Sequence, residues 1–223
     1  RSAKDSERMA ISAQQVKALR EKTGAGIMDC KEALTKTEGN VEKAEIWLRE
    51  QGMKTYDKKA NRAASEGLVA SYIHPGGKIG VLVEVNCETD FVARTDGFQD
   101  FVKEVAMQVA AMNPRYVGRN DVPEDALETE RSILQAQAEK EGKPPEIAAK
   151  IVTGRLRKFY EERCLMDQAY IKDENKTIET LLKEVVASIG ERVEIRRFAR
   201  YTLGQESTTA ESVVDAGDED GDE

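Results

Sequence analysis

Ile79-Gly80-Val81-Leu82-Val83-Glu84-Val85-Asn86-Cys87-Glu88-Thr89-Asp90-Phe91-Val92-Ala93-Arg94-Thr95-Asp96-Gly97-Phe98 sets the architecture of this 223-residue chain. Ile79, Val81, Val83, Val85 and Cys87 alternate with Gly80, Leu82, Glu84, Asn86 and Glu88, the period of two of a strand with one strongly apolar face. Other elements must cover that face. The alternation stops at Thr89-Asp90, yet Phe91 and Val92 follow before the polar Arg94-Thr95-Asp96-Gly97 turn that leads towards a helix. An aromatic at such a junction either folds back onto the core or points outward.

Immediately upstream, Leu68 to His74 reads as a second strand, joined to the first by Pro75-Gly76-Gly77-Lys78, whose glycines permit a hairpin turn. Downstream, Phe98, Phe101, Val102, Val105, Val109 and Met112 follow helical spacing up to Asn113-Pro114, and this helix should lie across the sheet. Ile178, Leu181, Leu182, Val185 and Ile189 mark another core helix, closed by Gly190. Val193 to Leu203 is the last strand, and its alternation slips around Arg196-Arg197-Phe198, which predicts a bulge. Residues 67–204 are therefore expected to form an α+β core with a three-stranded antiparallel sheet packed by helices. Within it, Pro123 to Lys140 and Pro145 to Arg163 carry thin apolar stripes that suit a projecting antiparallel helical hairpin over residues 123–163.

Before the core, residues 1–10 are polar and aperiodic and read as a flexible lead-in. Ser12 with Gln15 forms a capping box, and Ile11 with Val16 a hydrophobic staple, which start a helix that runs to Gly24. Cys30, Ala33 and Leu34 lie on one face of a second helix. Asn40 caps a third, with Val41, Ala44, Trp47 and Leu48 as its apolar face. Residues 11–53 thus read as a three-helix bundle and residues 54–66 as a partly helical linker. The turn Thr23 to Asp29 places Ile27 and Met28 directly after a Gly-Ala-Gly step, where they either staple the second helix to the first or stand exposed. It is no nucleotide loop, because Asp29 occupies the place of the third glycine and a helix precedes it.

The net charge of −8 belongs to the end of the chain. Residues 205–223 hold eight acidic residues and no Lys or Arg, and residues 1–204 sum to zero. That tail cannot bury enough apolar area to order itself and is expected to be disordered. An evenly charged body argues against broad nucleic-acid binding, DNA included, which needs a clustered basic surface. No apolar run approaches the roughly 18 residues of a membrane span. The chain opens on Arg1 and reads as a processed or excised piece.

The inventory argues against an enzyme and indicates no cofactor. Cys30, Cys87 and Cys164 form no CxxC and no metal-ligand spacing, and fit a reducing compartment. The single histidine, His74, has no partner at a readable spacing. Cys87 as a nucleophile with His74 as its base is poorly supported, because Asn86 and Glu88 flank the thiol. What remains is a binding module, with function carried at turns on a scaffold.

Residues 12–53, notably Leu19 to Lys31, resemble the N-terminal, ubiquitin-associated-type bundle of translation elongation factor Ts. Glu84-Val85-Asn86-Cys87-Glu88-Thr89-Asp90-Phe91-Val92-Ala93 is similar to that family's Thr-Asp-Phe-Val motif. The resemblance spans Ile11 to about Gly204. It implies a guanine nucleotide exchange factor for the GTPase elongation factor Tu, not an enzyme. Asp90 and Phe91, flanked by Thr89 and Val92, would insert beside the partner's Mg²⁺ site. The head would contact the guanine side through Arg20, Ile27, Met28 and Lys31. Ile79 and Gly80 resemble a second contact strip, with a core role for Ile79 equally open. Gln108 stands where relatives often have a histidine, so a contact there would be a neutral hydrogen bond. The chain has one core half where long family members have two, which implies a homodimer that supplies the missing copy. Bacterial cytoplasm and an organelle stroma, plastid included, both fit. The alternative is a ribosome-associated or scaffold protein that uses the head without exchange activity.

Overall fold

The computed structural model describes residues 11–142 and 144–205, so the expected lead-in and residues 206–223 of the acidic tail lie outside the described residues. The fold is α+β, and it begins with three helices, α1 (Ala13–Thr23), α2 (Ile27–Lys36) and α3 (Val41–Lys59). Ser12 and Gln15 form the expected capping box, and Gly24 ends α1 in the left-handed region at φ 69°. Val16, Leu19, Cys30, Ala33, Leu34 and Ala44 close a small core of their own, with Trp47 and Leu48 packed on it.

The core's sheet orders its strands β1 (Glu66–Ile73), β2 (Ile79–Cys87) and, last in the chain, β5 (Val193–Thr202), all antiparallel with β2 central. Between them run α4 (Asp90–Ala93), α5 (Asp96–Met112), α6 (Glu124–Lys140), α7 (Pro145–Arg163), β3 (Ala169–Tyr170), β4 (Asp173–Thr177) and α8 (Ile178–Ile189). The period-two reading of β2 holds: Val81, Val83, Val85 and Cys87 are buried beneath α5 and α8, in one cluster with Phe98, Val105, Leu182 and Val186. The bulge falls where the alternation slips, since Glu84 pairs Arg197 while Val85 pairs Ile195, which leaves Arg196 unmatched. The helices α6 and α7 pack as the expected antiparallel pair.

Two features differ from expectation. α3 continues to Lys59, through the first half of the expected linker, because that extension packs along α8. Gly52 lets the two helices approach: a Cβ there would stand 3.1 Å from Ala187 Cβ. Tyr56 packs onto the main core, with Lys183 Nζ 5.5 Å from its ring centroid. The second difference is the short β3–β4 ribbon, which has too few apolar residues to announce itself by alternation. No helix among the described residues is long and apolar enough to cross a membrane.

Candidate partner-binding site

Thr89 lies two residues past the end of β2 and caps α4. Its side chain accepts from Val92 N as the N-cap of that single turn, while its backbone stays extended at φ −132°, ψ 152°. The turn divides its apolar residues by direction. Ala93 is buried and Val92 packs on the core, but Phe91 faces away and is 78% exposed. Of the two outcomes open for this ring, the outward one is observed. Asp90 sits beside it, half-buried, paired with Arg94 Nη2 at 2.8 Å.

The junction is fastened by residues far away in sequence. Thr89 N donates to Glu191 Oε2 at 3.0 Å and Thr89 Oγ1 donates to Glu191 Oε1 at 2.8 Å. In return, Arg192 N donates to Glu88 Oε1 at 2.6 Å. Each segment's carboxylate therefore satisfies the other's backbone N–H, a charge-assisted arrangement. The Arg192 N–H, helped by the Arg62 guanidinium, holds the Glu88 carboxyl below the usual carboxylate range. Glu191 was missed in the sequence: no motif or periodicity connects positions 102 residues apart.

Cys87 belongs to this support. Its Sγ donates to Thr89 O at 3.1 Å, and burial, then the Glu191 carboxylate, pushes its thiol pKa up, so it stays protonated near neutral pH. His74 lies at the opposite end of the strand pair, where its N–H donates to Ile79 O, while Cys87 pairs with Glu66. The two cannot form a dyad. Among the described residues no group of three or more His, Cys, Asp or Glu could hold a metal ion.

The head presents a second exposed tip. Ile27 is 56% and Met28 73% exposed at the start of α2, so they stand free rather than stapling the bundle. Arg20 and Lys31 are exposed on the neighbouring turns. Ser188 Oγ, on the last turn of α8, donates to Gly24 O at 2.7 Å and fixes this tip to the core.

The remaining positions separate. Ile79 packs against the core, the structural one of its two readings. Gly80 lies between Ile73 and Tyr201 in the sheet, on its uncovered face. Gln108 requires a correction. It is fully buried, donates to Gln168 Oε1 and to Ala169 O, and accepts from Ile171 N. Its amide ties α5 to β3 and the residues on either side of it, so it offers no surface for the contact expected there.

Comparison with known proteins gives the family. The family model "Elongation factor TS" matches residues 30–205, and "Elongation factor Ts, mitochondrial, N-terminal" matches residues 1–55. Elongation factor Ts of Caldanaerobacter subterraneus subsp. tengcongensis is 58% identical over 195 residues, 87% of this chain and 98% of that protein. Its counterpart in Anaeromyxobacter dehalogenans strain 2CP-1 is 60% identical over 195 residues, 87% of this chain and 89% of that one. The Geobacter sulfurreducens protein is 56% identical over 197 residues, covering 88% and 91% respectively. With a matching family model over most of its length and relatives of this identity, the chain belongs to the elongation factor Ts family.

Proposed function

We propose that this chain is a guanine nucleotide exchange factor for elongation factor Tu in translation elongation. The observation that carries the reading is Phe91, an aromatic ring left 78% exposed on a one-turn helix that its own scaffold pins at the N-cap. An exposed ring held in place is suited to enter a partner. Asp90 and Phe91 form the wedge, flanked by Thr89 and Val92, with the Asp90 carboxylate arriving beside the partner's Mg²⁺ and phosphates. Arg20, Ile27, Met28 and Lys31 form the second contact, towards the guanine side.

Exchange needs coupling rather than bond making. A factor that binds the nucleotide-free GTPase more tightly than the nucleotide-bound one must weaken nucleotide by the same ratio. The test is mixing: fluorescent GDP bound to elongation factor Tu is expected to be released faster on addition of the chain, in proportion to its concentration. An unchanged release rate would leave the chain as a ribosome-associated or scaffold protein instead.

The homodimer has a physical candidate in the uncovered face of the sheet. Val69, Ile73, Leu82 and Tyr201 are exposed there, and the face also carries the Glu84–Arg197 ion pair at 2.6 Å. An apolar patch that includes both signs of charge can meet its own copy across a two-fold axis, where each carboxylate faces the other copy's guanidinium. In sedimentation, the chain is expected to run as a dimer and its Leu82→Glu variant as a folded monomer. A wild-type protein that stays monomeric at high concentration disposes of this face as the interface.

A further inference from the structure

The two exposed tips are far apart in the chain, yet both are fastened to one short segment, Ser188 to Arg192, at the C-terminal end of α8. On one side Ser188 Oγ holds the Gly24 carbonyl, just before Ile27 and Met28. On the other, Glu191 takes both the N–H and the hydroxyl of Thr89, just before Asp90 and Phe91. Gly190 makes the link short: it closes α8 in the left-handed region at φ 80°, so the chain turns at once from the helix into Glu191. The Arg192 N–H bond to Glu88 and the contact of Gly52 with Ala187 brace the segment from both directions.

α4 is only four residues long and has no stability of its own. Its position therefore depends on the packing of Val92 and Ala93 against the core and on what holds Thr89. A bare N-cap hydroxyl would leave the turn free to fray, whereas a carboxylate that accepts from Thr89 N and Oγ1 together orients the hydroxyl so that its lone pairs face Val92 N. The Val92 N to Thr89 Oγ1 distance is 3.4 Å, a weak cap by itself, which makes the second fastening matter more.

Resting on the exchange-factor reading above, we propose that Glu191 and Ser188 are positioning residues that hold the Phe91 wedge and the Ile27-Met28 tip at a fixed separation, so that one partner meets both at once. The benefit is preorganisation. A rigid link turns the second contact into an intramolecular event and removes the ordering cost of the wedge at the moment of binding. Neither residue touches the partner in this scheme, and neither contributes chemistry.

The experiment is a double-mutant cycle on the full chain, read as stimulated GDP release from elongation factor Tu. Glu191→Ala is expected to raise the half-saturating concentration of the factor about tenfold with little change in the maximal rate. Glu191→Gln, which keeps an acceptor and can donate to the Thr89 hydroxyl, should recover most of the loss. In a Phe91→Ala background, Glu191→Ala should add almost nothing, because no ring is left to position. The proposal is overturned if the loss is the same in both backgrounds, which is what a general structural role produces, or if Glu191→Ala has no effect. Amide hydrogen exchange provides a separate readout without a partner: the Thr89 and Val92 amides should exchange at least about tenfold faster in Glu191→Ala at unchanged global stability. If wild-type chain fails to release GDP while these amides behave as stated, the exchange reading falls and the fastening stands. Unchanged protection in Glu191→Ala sinks the fastening itself.

Discussion

Phe91→Ala is expected to leave the melting temperature of the factor unchanged and to slow the GDP release it stimulates from elongation factor Tu by at least about tenfold. The ring makes little contact with its own protein, being 78% exposed, so its removal opens no cavity. Burying it in a partner pocket is worth about 1.5–3 kcal/mol, or roughly one to two decades in affinity. If that contact forms only with the nucleotide-free partner, the loss appears as slower release and not merely weaker binding. Release rates that survive the substitution, or a protein that unfolds because of it, would remove Phe91 from the mechanism. One side chain is too little for a large exchange effect, which is why the head tip is assigned a share.

Gly67→Ala is expected to damage the fold itself. Gly67 sits in β1 opposite Asn86 at φ 142°, a conformation that L-residues rarely adopt. A Cβ there would stand 2.1 Å from the Val85 carbonyl oxygen and 2.7 Å from Asn86 Cα, both backbone atoms of the central strand. Neither can move without breaking the pairing that positions Cys87 and Thr89. The cost is about 3 kcal/mol or more, a fall in melting temperature on the order of 10 °C for a protein of this size. Gly80→Ala is the control. Its new Cβ would meet only Ile73 Cδ1, at 3.2 Å, the far end of a flexible side chain. Thermal denaturation of the two variants, compared with wild type, decides it, and equal melting temperatures would refute the strain argument.

The turn from Thr89 to Val92 was legible in the chain because the features that announce it are local. A strand of period two, an N-cap threonine and one apolar residue too many are adjacent in sequence and readable as such. The same holds for the Ser12 capping box, the left-handed glycines that end α1 and α8, and the bulge at Arg196, each set by neighbours a few positions away. The α6–α7 pair was legible because two thin stripes of similar length with a Gly-Lys-Pro-Pro turn between them have little else to pack on.

What the residues alone fixed is the class of fold and the order and boundaries of most elements, since hydrophobic period and caps act over one or two turns of chain. Only the tertiary structure decided which way Phe91 points, because that depends on Val92 and Ala93 filling the space against the core and on Glu191 arriving from 102 residues away. It also decided that Gln108 faces inward, since its partners Gln168, Ala169 and Ile171 come from a segment some 60 residues on. Side chains meet across such distances only after the sheet and α8 have packed, and no local pattern encodes a contact whose two halves are brought together by packing.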